Sequence, residues 1–129
     1  MSTAVHSVID CSIVIPVYFN ENSLADTMDS IKNKVISRNP CLRFEVVFVD
    51  DGSGDGSFDE LIRLREKNHK IIKIIKLTRN FGQVNAVIAG LSYAKGKCIV
   101  KMSADGQDPP ELINEMLKAH LEEHFEIVI

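Results

Sequence analysis

Val100-Lys101-Met102-Ser103-Ala104-Asp105-Gly106-Gln107-Asp108-Pro109-Pro110-Glu111 carries an apolar run into two spaced carboxylates and then into a helix start. Lys97 to Met102 reads as a strand, Asp105 and Asp108 stand just past its carboxyl end, and Pro109-Pro110 opens the next element. In an open α/β sheet, ligands bind outside the carboxyl ends of the strands. Two carboxylates placed there suit a divalent cation carrying a diphosphate, because Mg²⁺ and Mn²⁺ prefer oxygen donors. Alone, the segment reads more readily as a solvated turn with an Asp-Pro helix start. The sequence around it shifts that reading.

Upstream, strand and helix patterns alternate. Ser12 to Val17 is a β-branched run that predicts a first strand, and Asn22-Ser23 can cap a helix carrying Leu24, Met28, Ile31 and Val35 at helical spacing. Phe44 to Val49 predicts a second strand, followed by Asp50-Asp51-Gly52-Ser53, a tight turn at 54–57 and a helix through Leu61, Ile62 and Leu64. Ile71 to Leu77 predicts a third strand, Asn80-Phe81-Gly82 a break, and Gln83 to Ala94 a small-residue helix closed by Gly96 as its cap. Downstream, Pro109 to about Glu123 predicts a helix and Phe125 to Ile129 the beginning of another strand. Such alternation implies a mainly parallel sheet with helices on both faces. Because the last pattern is an incomplete apolar strand, residues 1–129 are expected to be the front part of a larger domain.

Composition narrows the function classes. The chain has 129 residues, 45% of them hydrophobic, enough to bury one core. A net charge of −3 without a dense Lys/Arg block argues against nucleic acid as a partner. The apolar run Ile71 to Leu77 is broken by Lys73 and Lys76, and no segment reads as a bilayer span or a signal peptide. Cys11, Cys41 and Cys98 show no CxxC spacing and read as reduced thiols in a cytoplasmic setting. His120 and His124 are four apart, but without a third ligand nearby they read as a solvated helix face rather than a zinc pair.

Three further features fall at the same edge of the predicted sheet. Pro16-Val17-Tyr18 ends the first strand, where a tyrosine ring can lie on a flat base or simply cap the core. Asp50 and Asp51 end the second strand, where a carboxylate can accept from a base N–H or a ribose hydroxyl, or merely form an Asp/Gly turn. Arg79 follows the third strand, where it can meet a diphosphate beside a helix N-terminus or lie as a surface arginine in a turn. An aromatic, an acidic pair, a basic Gly-containing turn and a second acidic pair at successive strand ends are hard to attribute to chance. The chain has no GxGxxG, no GxxxxGK[ST] and no GxSxG, which argues against dinucleotide, P-loop and α/β-hydrolase chemistry.

Ser-Ile-Val-Ile-Pro-Val-Tyr-Phe-Asn-Glu, Val-Asp-Asp-Gly-Ser-Gly-Asp-Gly-Ser, Leu-Thr-Arg-Asn-Phe-Gly-Gln and Ala-Asp-Gly-Gln-Asp-Pro-Pro-Glu-Leu, in that order, resemble the family 2 glycosyltransferases of GT-A fold. The combination is most similar to the branch holding dolichol-phosphate mannose synthases and bacterial polyprenyl-phosphate glucosyltransferases. The resemblance implies a transferase using a nucleotide-diphosphate sugar, with a UDP-sugar as the expected donor, and Mg²⁺ or Mn²⁺ as cofactor. It implies that Pro16 and Tyr18 line the base pocket and that Asp51 pairs with the base with Asp50 supporting it. It sets Asp105 as the metal ligand, the second acid of the family's DxD motif, with Ser103 in place of the first. A serine there brings no charge, and Asp108 is the residue able to compensate.

The expected acceptor is a polyprenyl (lipid) phosphate or a growing glycan in cell-envelope or polysaccharide synthesis. The expected location is the cytoplasm or the cytoplasmic face of the membrane. The family's acceptor-side residues lie downstream of these motifs. Residues 1–129 are therefore expected to form the N-terminal nucleotide-sugar-binding part, to contain no catalytic base, to transfer no sugar alone and to self-associate through an exposed sheet edge. The competing reading is a non-catalytic α/β nucleotide-binding or receiver-like module. A receiver would carry a phosphoacceptor Asp at the end of the third strand, which here ends Lys76-Leu77-Thr78.

Overall fold

A computed structural model describes residues 8–121. Among them, four parallel strands form one sheet in the order β3-β2-β1-β4. These are β1 (Cys11–Val17), β2 (Phe44–Asp50), β3 (Ile72–Lys76) and β4 (Cys98–Lys101). The helices are α1 (Leu24–Ile31), continued by a π-helical turn (Lys32–Ile36), then α2 (Ser57–Lys67), α3 (Gln83–Tyr93) and α4 (Glu111–Leu121). The expected mainly parallel α/β architecture is what the chain adopts. The predicted strand at Phe125 to Ile129, the end of the last predicted helix at Glu123, and His124 lie outside the described residues.

Strands covered on both faces read as continuous apolar runs, and β1 and β2 do. Their pairing runs from Cys11 opposite Phe44 to Val17 opposite Asp50. On one face, Ile13, Ile15, Val46 and Phe48 join Leu24, Met28 and Ile31 of α1 and Leu61 of α2 in the main core. Each such side chain, fully buried, contributes about 1.5–3 kcal/mol of transfer free energy. On the other face, Val14, Val47 and Val49 meet Ala86 of α3. There the helix approaches closely: a methyl added at Gly90 would lie 2.5 Å from Cγ1 of Val14 and 3.1 Å from Cγ2 of Val49.

Two caps differ from the sequence expectation. Gly96 does not end α3; Ala94 does, with extended backbone at φ −70° and ψ 137°. Gly96 is small for another reason, because a Cβ there would sit 2.5 Å from the Ser12 nitrogen. Ser23 stands at the N-cap of α1 but makes no cap hydrogen bond. Its hydroxyl donates instead to the Ala104 carbonyl at 2.7 Å, joined there by the Thr27 hydroxyl at 3.1 Å.

Cys11 and Cys98 face each other across β1 and β4. Burial first, then the neighbouring Cys98, pushes the Cys11 thiol far above its ordinary range, so it behaves as a packed apolar group and not as a nucleophile.

Candidate functional site

The strand order reverses at β1, which pairs with β2 on one side and β4 on the other. Crevices at such switch points, outside the carboxyl ends of the strands, are where open α/β sheets take ligands. A cleft of about 240 Å³ lies there, lined by Pro16, Val17 and Tyr18 after β1, Asp51 after β2, and Ser103, Ala104 and Asp105 after β4. Asn20, Asn80 and Gln83 complete the wall. Five of the residues singled out in the sequence, Pro16, Tyr18, Asp51, Ser103 and Asp105, are thus brought together from three strand ends.

Asp51 is 2% exposed and is the most heavily engaged side chain in the cleft. Its Oδ1 accepts from the Phe81 N–H at 2.8 Å; its Oδ2 accepts from Gly82 N–H at 3.1 Å and from Asn80 Nδ2 at 2.9 Å. A carboxylate has about four acceptor positions, and the described residues take three of them. The bonds also place an anion at the N-terminus of α3, where the helix dipole favours it. Gly52 makes this fit possible: its φ is +71°, and a Cβ would fall 2.4 Å from the Arg79 carbonyl carbon.

Asp50 and Arg79 are not brought to the cleft. Asp50 is 1% exposed, and its Oδ1 accepts from the Ser53 N–H at 3.2 Å while Oδ2 has no hydrogen-bond partner among the described residues. Arg79 lays its guanidinium over the Phe81 ring, 4.3 Å from the centroid.

The segment after β4 is shaped by its own carboxylates. Asp108 Oδ2 accepts from the Ser103 N–H at 2.8 Å, and Asp105 Oδ1 from the Gln107 N–H at 3.1 Å. Gly106, at φ +79°, lets the chain turn between them. The Ser23 and Thr27 hydroxyls at the start of α1, which hold Ala104, fix this loop against the helix. Asp105 therefore projects from a braced loop, and a second hollow of about 190 Å³, reached by Ser23, Asp26 and Asp108, shares it. No group of three or more His, Cys, Asp or Glu gathers as a metal cage among the described residues. The donors at hand, Asp105 and the Ser103 hydroxyl, are all oxygen. That set fits a hard cation held by one carboxylate together with water and substrate phosphate.

Tyr18 is 48% exposed and meets Phe19 edge-on, with centroids 4.6 Å apart. Phe19 has φ +56°, in the left-handed region. For a bulky residue this costs roughly 1–3 kcal/mol. Sequence reading passed over Phe19, Asn20, Asn80 and Gln83. The signal present was Asn on each side of an aromatic, in Phe19-Asn20 and Asn80-Phe81, since Asn side chains readily close local turns.

A polar network lies elsewhere, where β1 and β2 begin. Glu45, 2% exposed, accepts from the Ser12 hydroxyl and from the Lys95 N–H at 2.7 Å, and its Oε1 lies 2.7 Å from Lys73 Nζ. Burial raises its pKa, but the Lys73 ammonium, the Lys95 N–H and the Ser12 hydroxyl outweigh it, and the carboxyl is held below its ordinary value. The network ties the α3–β4 connection to the sheet.

Residues 12–129 match the family described as Glycosyl transferase family 2. Among curated proteins, the uncharacterized glycosyltransferase YkcC of Bacillus subtilis is 41% identical over 120 residues, 93% of this chain and 36% of that protein. The uncharacterized glycosyltransferase sll0501 of Synechocystis sp. is 38% identical over 109 residues, 84% of this chain and 33% of that protein. The chain thus spans about a third of the length of these relatives. Among solved structures, the mannosyltransferase PcManGT of Pyrobaculum calidifontis, in complex with GDP-Man and Mn²⁺, aligns with a TM-score of 0.75 at 22% identity, over 88% of this chain and 33% of that one. TarS of S. aureus aligns with a TM-score of 0.71 at 22% identity, over 90% of this chain and 20% of that one. At these identities the structural likeness establishes the fold, which is GT-A.

Proposed function

The chain belongs to glycosyl transferase family 2, and we propose that it supplies the nucleotide-sugar-binding part of a GT-A glycosyltransferase that moves a sugar from a nucleotide-diphosphate sugar to a lipid phosphate or a growing glycan. The observation that carries this reading is the cleft at the β1/β4 switch point, where Tyr18, Asp51, Ser103 and Asp105 converge. Tyr18 offers a flat apolar face to the base. Asp51 offers a carboxylate acceptor to a base or ribose donor. Asp105, with Ser103 beside it, would hold a divalent cation, whose chemistry is to offset the negative charge building on the leaving diphosphate. The chain's own part is to bind and orient the donor and to brace the Asp105 loop through Ala104. The Mn²⁺ complex of PcManGT, a structural neighbour, supports a cation in this role.

On this reading the base is uracil or guanine, and the reaction takes place at the cytoplasmic membrane face. None of the described helices is long and apolar enough to cross a membrane. The residues that bind the acceptor belong to sequence outside the matched third, so the chain alone transfers no sugar. Among the described residues β4 has no second neighbour, and this edge together with the exposed Val84, Ile88 and Leu91 of α3 supports self-association of the chain; light scattering at rising concentration tests it. Calorimetric titration with uridine and guanosine diphosphates and monophosphates, with and without Mn²⁺, tests the donor site. Tighter, cation-dependent binding of a diphosphate is expected; binding of none of them overturns the reading.

A further inference from the structure

We infer that Phe19, which does not touch the cleft, is the positioning residue that presents Tyr18 and Asn20 to it; the inference rests on the nucleotide reading of that cleft. The two residues flanking Phe19 line the cleft and Phe19 does not. Extended backbone would point residues 18 and 20 the same way only by carrying residue 19 straight to the opposite side. Here the chain instead turns at Phe19, at φ +56°, a conformation that bulky side chains adopt only when their surroundings impose it.

The surroundings are on the page. Three successive backbone N–H groups are held by side chains: Tyr18 donates to Asn20 Oδ1 at 2.8 Å, Phe19 to Ser53 Oγ at 3.1 Å and Asn20 to Ser57 Oγ at 2.9 Å. Ser53 lies in the turn between β2 and α2 and Ser57 opens α2, so the loop after β1 is fastened onto the β2–α2 junction. The Phe19 ring then lies over Gly54, where a Cβ would stand 3.2 Å from its Cζ. The same ring meets Tyr18 edge-on, centroids 4.6 Å apart. Gly54, the Phe19 ring and the Tyr18 ring set edge-on to it follow one another, so the position of Phe19 fixes that of Tyr18. Tyrosine orientation, and with it the face offered to a base, is set two contacts away from the ligand.

The test uses Phe19→Gly, which tolerates positive φ but removes the ring, and Gly54→Ala, which alters no cleft residue yet presses on that ring. Both are made in a Tyr93→Phe background, because Tyr18 and Tyr93 are the two tyrosines of a chain without tryptophan. Uridine and guanosine diphosphate binding and the near-ultraviolet circular dichroism of Tyr18 are measured together. Phe19→Gly is expected to weaken diphosphate binding by about three- to tenfold and to collapse the Tyr18 dichroic band while the melting temperature holds. Gly54→Ala is expected to do the same more weakly, and to add nothing once Phe19 is glycine. An unchanged Tyr18 band in Phe19→Gly overturns the positioning role whether or not nucleotide binds. So does a Gly54→Ala effect that persists in full without the Phe19 ring. A collapsed band in a protein whose parent binds no diphosphate overturns the nucleotide reading itself, and the role with it.

Discussion

Asp51 and Phe81 are joined by a 2.8 Å hydrogen bond from the Phe81 N–H to the Asp51 carboxylate, so the residue that follows β2 also sets where α3 begins. With Asn80 and Gly82 on its other oxygen, Asp51 is a structural clasp and a wall of the cleft at once. Asp51→Ala should therefore cost stability as well as affinity. Hydrogen bonds to a charged acceptor contribute about 1.5–3 kcal/mol each, and a loss of about 3 kcal/mol is expected for the clasp. Nucleotide binding should fall about tenfold or more, with or without cation. Urea denaturation and calorimetry check the two halves; a stable variant with full affinity contradicts both.

Asp105 should behave differently. It is exposed, and among the described residues its side chain holds only its own turn, so Asp105→Ala should leave stability within about 0.5 kcal/mol of the parent. What it should remove is the increment in diphosphate affinity that Mn²⁺ brings. Comparing titrations in Mn²⁺ and in chelator measures that increment directly.

Ser103→Asp adds a second carboxylate at the same loop. Mn²⁺ binding in the presence of diphosphate should tighten, because more negative charge faces the cation. Without metal the new carboxylate repels Asp105 and Asp108, and the melting temperature should drop slightly. An affinity for Mn²⁺ that is unchanged or lower places the Ser103 side chain away from the cation.

Glu45 predicts an acid limb in the stability profile. Its folded pKa is lowered from 4.5, so the folded state favours the charged form. The stabilisation is complete above the unfolded pKa and is lost as pH falls through the folded one. Denaturation midpoints should decline from about pH 5 downward. Glu45→Gln should be less stable at neutral pH by about 1–3 kcal/mol and should show a flatter decline in acid.

Gly90→Ala sets two effects of opposite sign against each other. Alanine gains about 1 kcal/mol of helix propensity over glycine. The new methyl, however, would meet Val14 Cγ1 at 2.5 Å between a helix and a packed sheet, and overpacking of that kind costs about 1–3 kcal/mol. A net loss is expected, read as a lower melting temperature; a gain would mean that α3 slides freely over the sheet.

The strands were legible because runs such as Ile13-Val14-Ile15 and Val46-Val47-Phe48 have one use, burial on both faces of a parallel sheet. The cleft was legible where chemistry falls just past a strand, as at Tyr18, Asp51 and Asp105. Asp50 could have been separated from Asp51 by counting in twos: it shares the parity of Phe44, Val46 and Phe48, which face the main core. Arg79 could not, since its contact with the Phe81 ring depends on how the loop folds back. Nor could Ser23, whose partner Ala104 is distant in sequence and near only once β4 lies beside β1. Gly96 looked like a helix cap because local rules were all the sequence offered, while its constraint came from Ser12 across the sheet.

Because β1 lies between β2 and β4, the first made of the four described strands is the one that must wait longest for its second neighbour. Phe44 arrives to pair with Cys11 well before Cys98 does. During translation β1, β2 and β3 can join while the flank that will receive β4 is still open. The far wall of the cleft, Ser103 to Asp105, follows β4 and is made later still. A ligand held between Tyr18 and Asp105 would thus meet a pocket that exists only after nearly all of the described chain has been made, and would tie the last made of the four described strands to the first.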